Sequence, residues 1–544
     1  MKKFILLWPA LLLLIASCAQ PLQKGVSAGI DKAQSENKTG KAQNPSASDS
    51  TGEINQEALR YFMDGQLYMN QGDYARAVIE LQDALELNPD VSTIHVSLAE
   101  CYWRLGKIKR SFQHLLKAIE VDPQDTEARK VLANQYIMQR QYDKAEEQYR
   151  ILSQIEPDNP EYIYALGDLA KVRQNYSQAM ELYIKTYELD PDAIKALEKA
   201  AQMALSIKQF DVAGDLYKKL IEADENNVGY LKMFSNIVLL NGDLQQAIWA
   251  QKQIIKLMGP EVDVLNQIGA MYYEIEKPDS ALFYFLEAAD LDSANIETLN
   301  YLSTVYREQE KYDLAADYAQ KIITYYPDKP QGYIDAALVA LNQEKYTEAI
   351  AILSGPAEKF KDDYVIQKLL GTSYNLEKNL ELAEVYLKRT VELRPDDRMA
   401  WHSLAIIYDT NKRWEESDRI YNRLIADDST DAQAYNNYAY SLAERGEKIE
   451  YALELAKTAI RLAPDNSAYL DTIGWIYYKL GENEKALSFI RQSVEIEDTN
   501  AVVLEHLGDV LTKLNRSDEA QQYYQKALEL DQDNERLKLK IADK

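Results

Sequence analysis

The chain has 544 residues but only 20 Gly and 15 Pro, sparse punctuation for a multidomain β or α/β protein, so long helices are the first expectation. Apolar residues make up 46% and charged residues 27%, enough to build a core and to dissolve it, which excludes a wholly disordered chain. The formal charge of -26 repels phosphate backbones and argues against nucleic acid as a partner, while serving equally to keep a long helical array in solution.

In chain order, residues 1–18 read MKKFILLWPALLLLIASC. Two lysines, an apolar run from Phe4 to Ile15 and small residues before a cysteine predict a cleaved secretory signal. The run is short for a bilayer span, which takes roughly 20 residues. Ile15-Ala16-Ser17-Cys18 resembles the lipobox of bacterial lipoproteins, whose cysteine is lipidated and becomes the new N-terminus. The resemblance implies a lipid anchor on Cys18; an ordinary signal peptide containing a cysteine is the alternative. Residues 19–57 are rich in Ser, Lys, Gln, Asn, Gly and Ala without apolar periodicity, which predicts a flexible tether. Its r.m.s. reach is roughly 35 Å by random-coil scaling. Ala19 stands where lipoproteins retained in the inner membrane usually carry Asp, so the resemblance implies an outer-membrane anchor facing the periplasm. The one other cysteine, Cys101, lies in SLAECYWRLG and is expected as a buried structural thiol, with no intramolecular disulfide in the mature chain.

From Ala58 the chain repeats every 34 residues, with blocks beginning at 58, 92, 126, 160, 194, 228, 262, 296, 330, 364 and 398. A twelfth begins at 432 and carries one extra residue in its turn, GEKIEYA, and two more begin at 467 and 501. The eighth residue of every block is Gly, Ala or Ser, from Gly65 and Ala99 through Gly167 to Gly508. So is the twentieth, from Ala77 and Ser111 to Ala520, counted past the extra residue in the twelfth block. Two antiparallel helices approach closely only where neither carries bulk at the crossing, so the two small residues predict a helical hairpin in each block. An apolar seventh residue, frequent Tyr at the eleventh, turns such as QGDYARA and NGDLQQA, and Pro at the thirty-second (Pro89, Pro123, Pro157) complete the pattern. Together these resemble the tetratricopeptide repeat over residues 58–534. The resemblance implies an all-α fold, an α-solenoid of about fourteen tandem hairpins forming a right-handed superhelix. The recurrent Tyr and Phe are expected to fill the space between hairpins, and the tail 535–544, ERLKLKIADK, to cap the array.

Block 330–363 departs most, because AILSGPAEKF puts Gly355 and Pro356 where a continuous second helix is expected. A break there predicts a weakened seam between an N-terminal array, 58–329, and a C-terminal one, 364–534; a tolerated kink is the alternative.

Chemistry-bearing motifs are missing. His95, His114, His402 and His506 lie in distant blocks or without ligand spacing, and there is no HExxH, no phosphate-cradling glycine loop and no GxSxG elbow. No enzyme, metal site or cofactor is expected. In the tetratricopeptide family the first helix of each hairpin lines a concave groove through its positions 2, 5, 9, 12 and 13. By that resemblance the C-terminal groove residues here are Asn436, Tyr440, Asp471, Trp475, Tyr478, Lys479, Glu505, Asp509 and Lys513. Aromatics beside carboxylates suggest a protein-binding patch; Trp475 packed into the neighbouring hairpin is the competing expectation. Polar residues farther up the groove, among them Asn134, Asn236, Asn266 and Asn300, suit an extended backbone. The resemblance implies a membrane-anchored scaffold for protein partners in envelope assembly, secretion or pilus biogenesis. A polysaccharide-export accessory protein that stacks saccharide on groove aromatics is the alternative.

Overall fold

The structure, a computed structural model, describes residues 56–542. Cys18, the leader and nearly all of the expected tether lie outside the described residues. Those described form 29 helices and no strand. The first hairpin pairs α1 (Gln56–Asn70) with α2 (Tyr74–Leu87), and the pattern runs to the fourteenth, α27 (Ala501–Lys513) with α28 (Ser517–Leu530). Odd-numbered helices open the hairpins, even-numbered helices close them, and α29 (Glu535–Ala542) stands alone at the end. The chain divides into two compact units, the first closing at Leu291 and the second opening at Asp292.

In all fourteen hairpins both small residues are buried, so the expected crossing exists. A Cβ on Gly167 of α7 (Pro160–Val172) would stand 2.8 Å from the Tyr183 ring on α8 (Tyr176–Leu189). One on Gly371 would stand 2.7 Å from Leu387. Serine is admitted because its hydroxyl finds an acceptor across the same gap. Ser111 donates to the Ala99 carbonyl at 2.7 Å, and Ser303 to the Ala315 carbonyl at 2.9 Å.

The eleventh-position tyrosines were expected between hairpins, yet several stack within one, on an aromatic at position 23. Tyr272 lies parallel to Tyr284 at 5.5 Å, Tyr306 to Tyr318 at 5.7 Å, Tyr374 to Tyr386 at 5.5 Å and Tyr477 to Phe489 at 5.6 Å. The turn that joins the paired helices puts its fifteenth residue in left-handed conformation, as Gly72 (φ 78) does, but also as Arg140, Lys208 and Glu310 do. That conformation lets the following amide satisfy a helix-end carbonyl, as Gln141 does on Tyr136 at 2.8 Å. The next first helix opens on an Asp or Asn cap: Asp125, Asn295, Asp397 and Asp431 each accept from the amide three residues on.

The break expected at Gly355–Pro356 is present. α18 (Tyr346–Ser354) has only nine residues and is followed by turns. The core nevertheless continues past it, because Leu353 and Ala357 pack with Ile366 and Leu370 of the following hairpin. Residues 330–363 lie inside the second compact unit.

Two glycines therefore differ in what they carry. Gly167→Leu drives bulk into Tyr183 and lowers the stability of the first unit by about 1–3 kcal/mol in denaturant unfolding. Gly355 has φ -59 and ψ -51 and open space around it; Gly355→Ala leaves stability unchanged or raises it by about 0.5 kcal/mol.

Candidate protein-binding groove

The implied groove residues lie on the first helices of the last three hairpins, α23 (Ala432–Arg445), α25 (Ser467–Lys479) and α27. Trp475 sits at their centre. Its indole N–H donates to Glu444 Oε1 at 2.7 Å, and its ring stacks on His506 at 3.8 Å and on Tyr478 at 4.8 Å. The Lys479 ammonium lies 4.9 Å over that ring and 3.6 Å from Glu444. His506 Nδ1 stands 3.0 Å from Asp471 Oδ2. Burial, then the charges of Glu444 and Asp471, pushes the Tyr440 hydroxyl up to about 12. Burial, then Asp509, raises the Tyr478 hydroxyl.

The final helix covers the lower end of this patch. Arg536 and Lys540 of α29 both reach Glu505 at 2.7 Å, and Lys540 also reaches Asp509 at 2.5 Å, where the Tyr524 hydroxyl donates at 2.7 Å. Burial raises the Glu505 carboxyl, but the hydrogen bonds from Lys540 and Arg536 outweigh it and hold its pKa below the usual glutamate value.

The structure thus brings Tyr440, Asp471, Trp475, Tyr478, Lys479, Glu505 and Asp509 into one network, but it does not present them alike. Trp475 is 7% exposed and packs against the following hairpin; Asn436, Asp471 and Glu505 are buried as well. Tyr440, Tyr478 and Asp509 are half-buried, while Lys479 and Lys513 are exposed. Fifth-position side chains brace one hairpin against the next. Lys368 binds Asp397 at 2.7 Å, His402 binds Asp431 at 3.0 Å, and Asp471 and Glu505 follow the same rule. The asparagines expected to hold an extended backbone are partly engaged inside the array too: Asn134 accepts from Tyr149 at 2.8 Å, and Asn300 donates to Asp335 at 2.9 Å.

A neighbouring stretch of the same face is open and was not singled out in the sequence. Val365 is 38% exposed, and on α21 (Arg398–Thr410) Met399 is 72% and Ile406 45% exposed. These are positions 2 and 9, so projecting the groove register one or two hairpins farther upstream would have found them. Beside them, His402 Nδ1 and Asn436 Oδ1 are buried polar atoms without a hydrogen-bond partner among the described residues.

Elsewhere the fold joins His95 and His114, which are 19 residues apart, with Nδ1 atoms 3.0 Å from each other. Burial, then the His95 charge, pulls His114 down to about 4, and burial lowers His95 as well. No group of three or more His, Cys, Asp or Glu side chains poised for a metal occurs among the described residues. Cys101 is fully buried, and burial pushes its thiol up to about 12, the condition of an inert structural cysteine.

The fold and this face define an α-solenoid of helical hairpins that offers its first helices as a surface. Tetratricopeptide repeat profiles match residues 62–126, 164–228 and 302–359, residues 468–500 and 501–534, and residues 108–169. Together they cover more than half of the chain, which belongs to the tetratricopeptide repeat family. A TPR repeat-containing protein of Pseudomonas aeruginosa is 27% identical over 128 residues, 23% of this chain and 22% of that protein. Type IV pilus assembly protein PilF of the same organism is 27% identical over 130 residues, 24% of this chain and 50% of that protein. The human cell division cycle protein 16 homolog is 22% identical over 153 residues, 26% of this chain and 24% of that protein. The chain therefore spans half or less of the length of these curated relatives. Among solved structures, the APC/C hetero-tetramer Cut9-Hcn1 is similar at TM-score 0.39 and 13% identity, covering 89% of this chain and 96% of that one. Yeast Tom70 is similar at TM-score 0.35 and 16% identity, covering 77% and 94%.

Replacing Arg536 and Lys540 by Met leaves Glu505 buried without a countercharge, and amide exchange across 501–530 then accelerates. Because the folded pKa of Glu505 is depressed, its contribution is complete above the ordinary glutamate range and is lost as pH falls through the folded value. Protection of this hairpin in the native chain accordingly declines only in acid, whereas in the double variant burial alone acts on Glu505 and raises its carboxyl, so protection is reduced at neutral pH and partly recovers as the carboxyl protonates.

Proposed function

We propose that the chain is a membrane-anchored periplasmic scaffold that binds other polypeptides along the first-helix face of its C-terminal repeats. The observation that carries this reading is the open apolar row of Val365, Met399 and Ile406, which continues into half-buried Tyr440. Exposed apolar side chains aligned on one face, rimmed by polar groups, suit a polypeptide segment. The reading adds envelope assembly, secretion or pilus biogenesis as the setting, supported by the likeness to a type IV pilus assembly protein. In this reading the anchor is Cys18 on the outer membrane, facing the periplasm, with the lipobox-like Ile15-Ala16-Ser17-Cys18 and the Ala19 that follows it as support. The saccharide reading has less support, since stacking needs a free aromatic face and the Trp475 ring is occupied by His506 and Tyr478.

Photo-crosslinkers placed at Met399, Tyr440 and Tyr478 in cells are expected to trap a polypeptide, while crosslinkers at Arg419 and Ser488, exposed on second helices, trap none. The opposite distribution would overturn the groove assignment. Labelled palmitate is expected on the native chain and absent from Cys18→Ser, which moves from the membrane to the soluble fraction; an unlabelled native chain removes the anchor from the reading.

A further inference from the structure

Residues 101–119, CYWRLGKIKRSFQHLLKAI, hold five cations and no carboxylate, in a chain with 87 acidic residues against 61 basic ones. They form the end of α3 (Ser92–Arg104), the turn after it and most of α4 (Ile108–Val121). Lys117 is paired with Glu120 at 3.0 Å. The other four, Arg104, Lys107, Lys109 and Arg110, are all exposed, and none forms an ion pair with a described residue. On the flanking hairpins, Asp73 is paired with Arg76 at 3.3 Å, and Asp143 and Glu146 with Arg173. Tyrosine faces steady three of the free cations, Lys107 at 5.8 Å and Arg110 at 5.6 Å over Tyr102, and Arg104 at 6.0 Å over Tyr74.

Apolar side chains stand among these charges. Leu105, in the turn between Arg104 and Lys107, is 37% exposed, and Leu116, two turns after Lys109 on the same side of α4, is 53% exposed. Cations would suffice for an acidic polypeptide. Cations interleaved with exposed leucines match a bilayer interface, where phosphates lie above an apolar boundary.

We propose that this edge of the second hairpin docks on an anionic phospholipid surface, its four free cations against headgroup phosphates and its two leucines at the acyl boundary. The inference extends the anchorage proposed for Cys18 but stands on other residues.

The test uses the chain from Ala19 onward, which lacks the anchor and retains all fourteen hairpins with every core residue. Cosedimentation is measured with vesicles of equal parts phosphatidylglycerol and phosphatidylcholine, with pure phosphatidylcholine vesicles, and with soluble polyglutamate. The expected result is binding to the anionic vesicles and little to the neutral ones. Arg104→Gln, Lys107→Gln, Lys109→Gln and Arg110→Gln combined lower the partition coefficient at least tenfold, since each cation near an anionic surface is worth about fivefold. The side chains are exposed, so circular dichroism of that variant stays native. Leu105→Ser with Leu116→Ser weakens vesicle binding and leaves any polyglutamate binding unchanged. Equal binding by the fourfold variant and the native sequence overturns the proposal. So does polyglutamate binding as tight as vesicle binding, which assigns the edge to an acidic protein. Failure of palmitate labelling with vesicle binding intact removes the Cys18 anchor alone.

Discussion

Close approach of two helices at a pair of small side chains is the contact on which the rest of this chain depends. Gly167 against Tyr183 and Gly371 against Leu387 leave no room for a further carbon, and Ser111 and Ser303 enter only because each hydroxyl is satisfied across the gap. Once that approach is fixed, positions 11 and 23 of a hairpin face each other, and parallel aromatic stacks such as Tyr272 with Tyr284 follow. The turn geometry follows too. A left-handed residue is imposed at position 15 whether or not it is glycine, and Arg140, Lys208 and Glu310 accept that strain because the paired helices demand it.

Between hairpins the adhesive is different. Fifth-position polar side chains reach the following hairpin, as Lys368 reaches Asp397 and His402 reaches Asp431. At the end of the array the same socket is filled from α29, where Leu537 is fully buried and Arg536 and Lys540 neutralise Glu505. A side chain engaged in this way is not available to a ligand. Carboxylates on the first-helix face therefore say little about electrostatic recognition, and the open apolar positions say more.

Much of this was legible in the sequence. The 34-residue period, both small positions, the hairpin fold and the break at Gly355–Pro356 are all visible as spacing, because each is a local steric demand that only a few residue types meet. The environment of Trp475 was not. Whether an aromatic at position 9 faces solvent depends on the residue six places into the next hairpin, and His506 is what covers it. Position 15 was half legible: glycine announces the turn at Gly72 and Gly242, while Lys378 and Lys412 adopt the same conformation silently. The His95–His114 contact was hidden for a related reason, since residues on opposite helices of a hairpin meet at separations that no linear motif encodes.

Net charge misleads in the same way as composition does. A total of -26 describes the field far from the molecule, which governs solubility and long-range encounter. At about a Debye length, roughly 8 Å at physiological salt, a partner feels only the nearest side chains. There the turn from Arg104 to Arg110 presents four cations and no carboxylate of its own, because none occurs between Glu100 and Glu120, and the flanking Asp73, Asp143 and Glu146 already hold other arginines. A repeat protein is well suited to such a reversal. Each hairpin keeps its fold through a few small and apolar positions, so the charge of its exposed positions can change from one hairpin to the next without disturbing the packing that joins them.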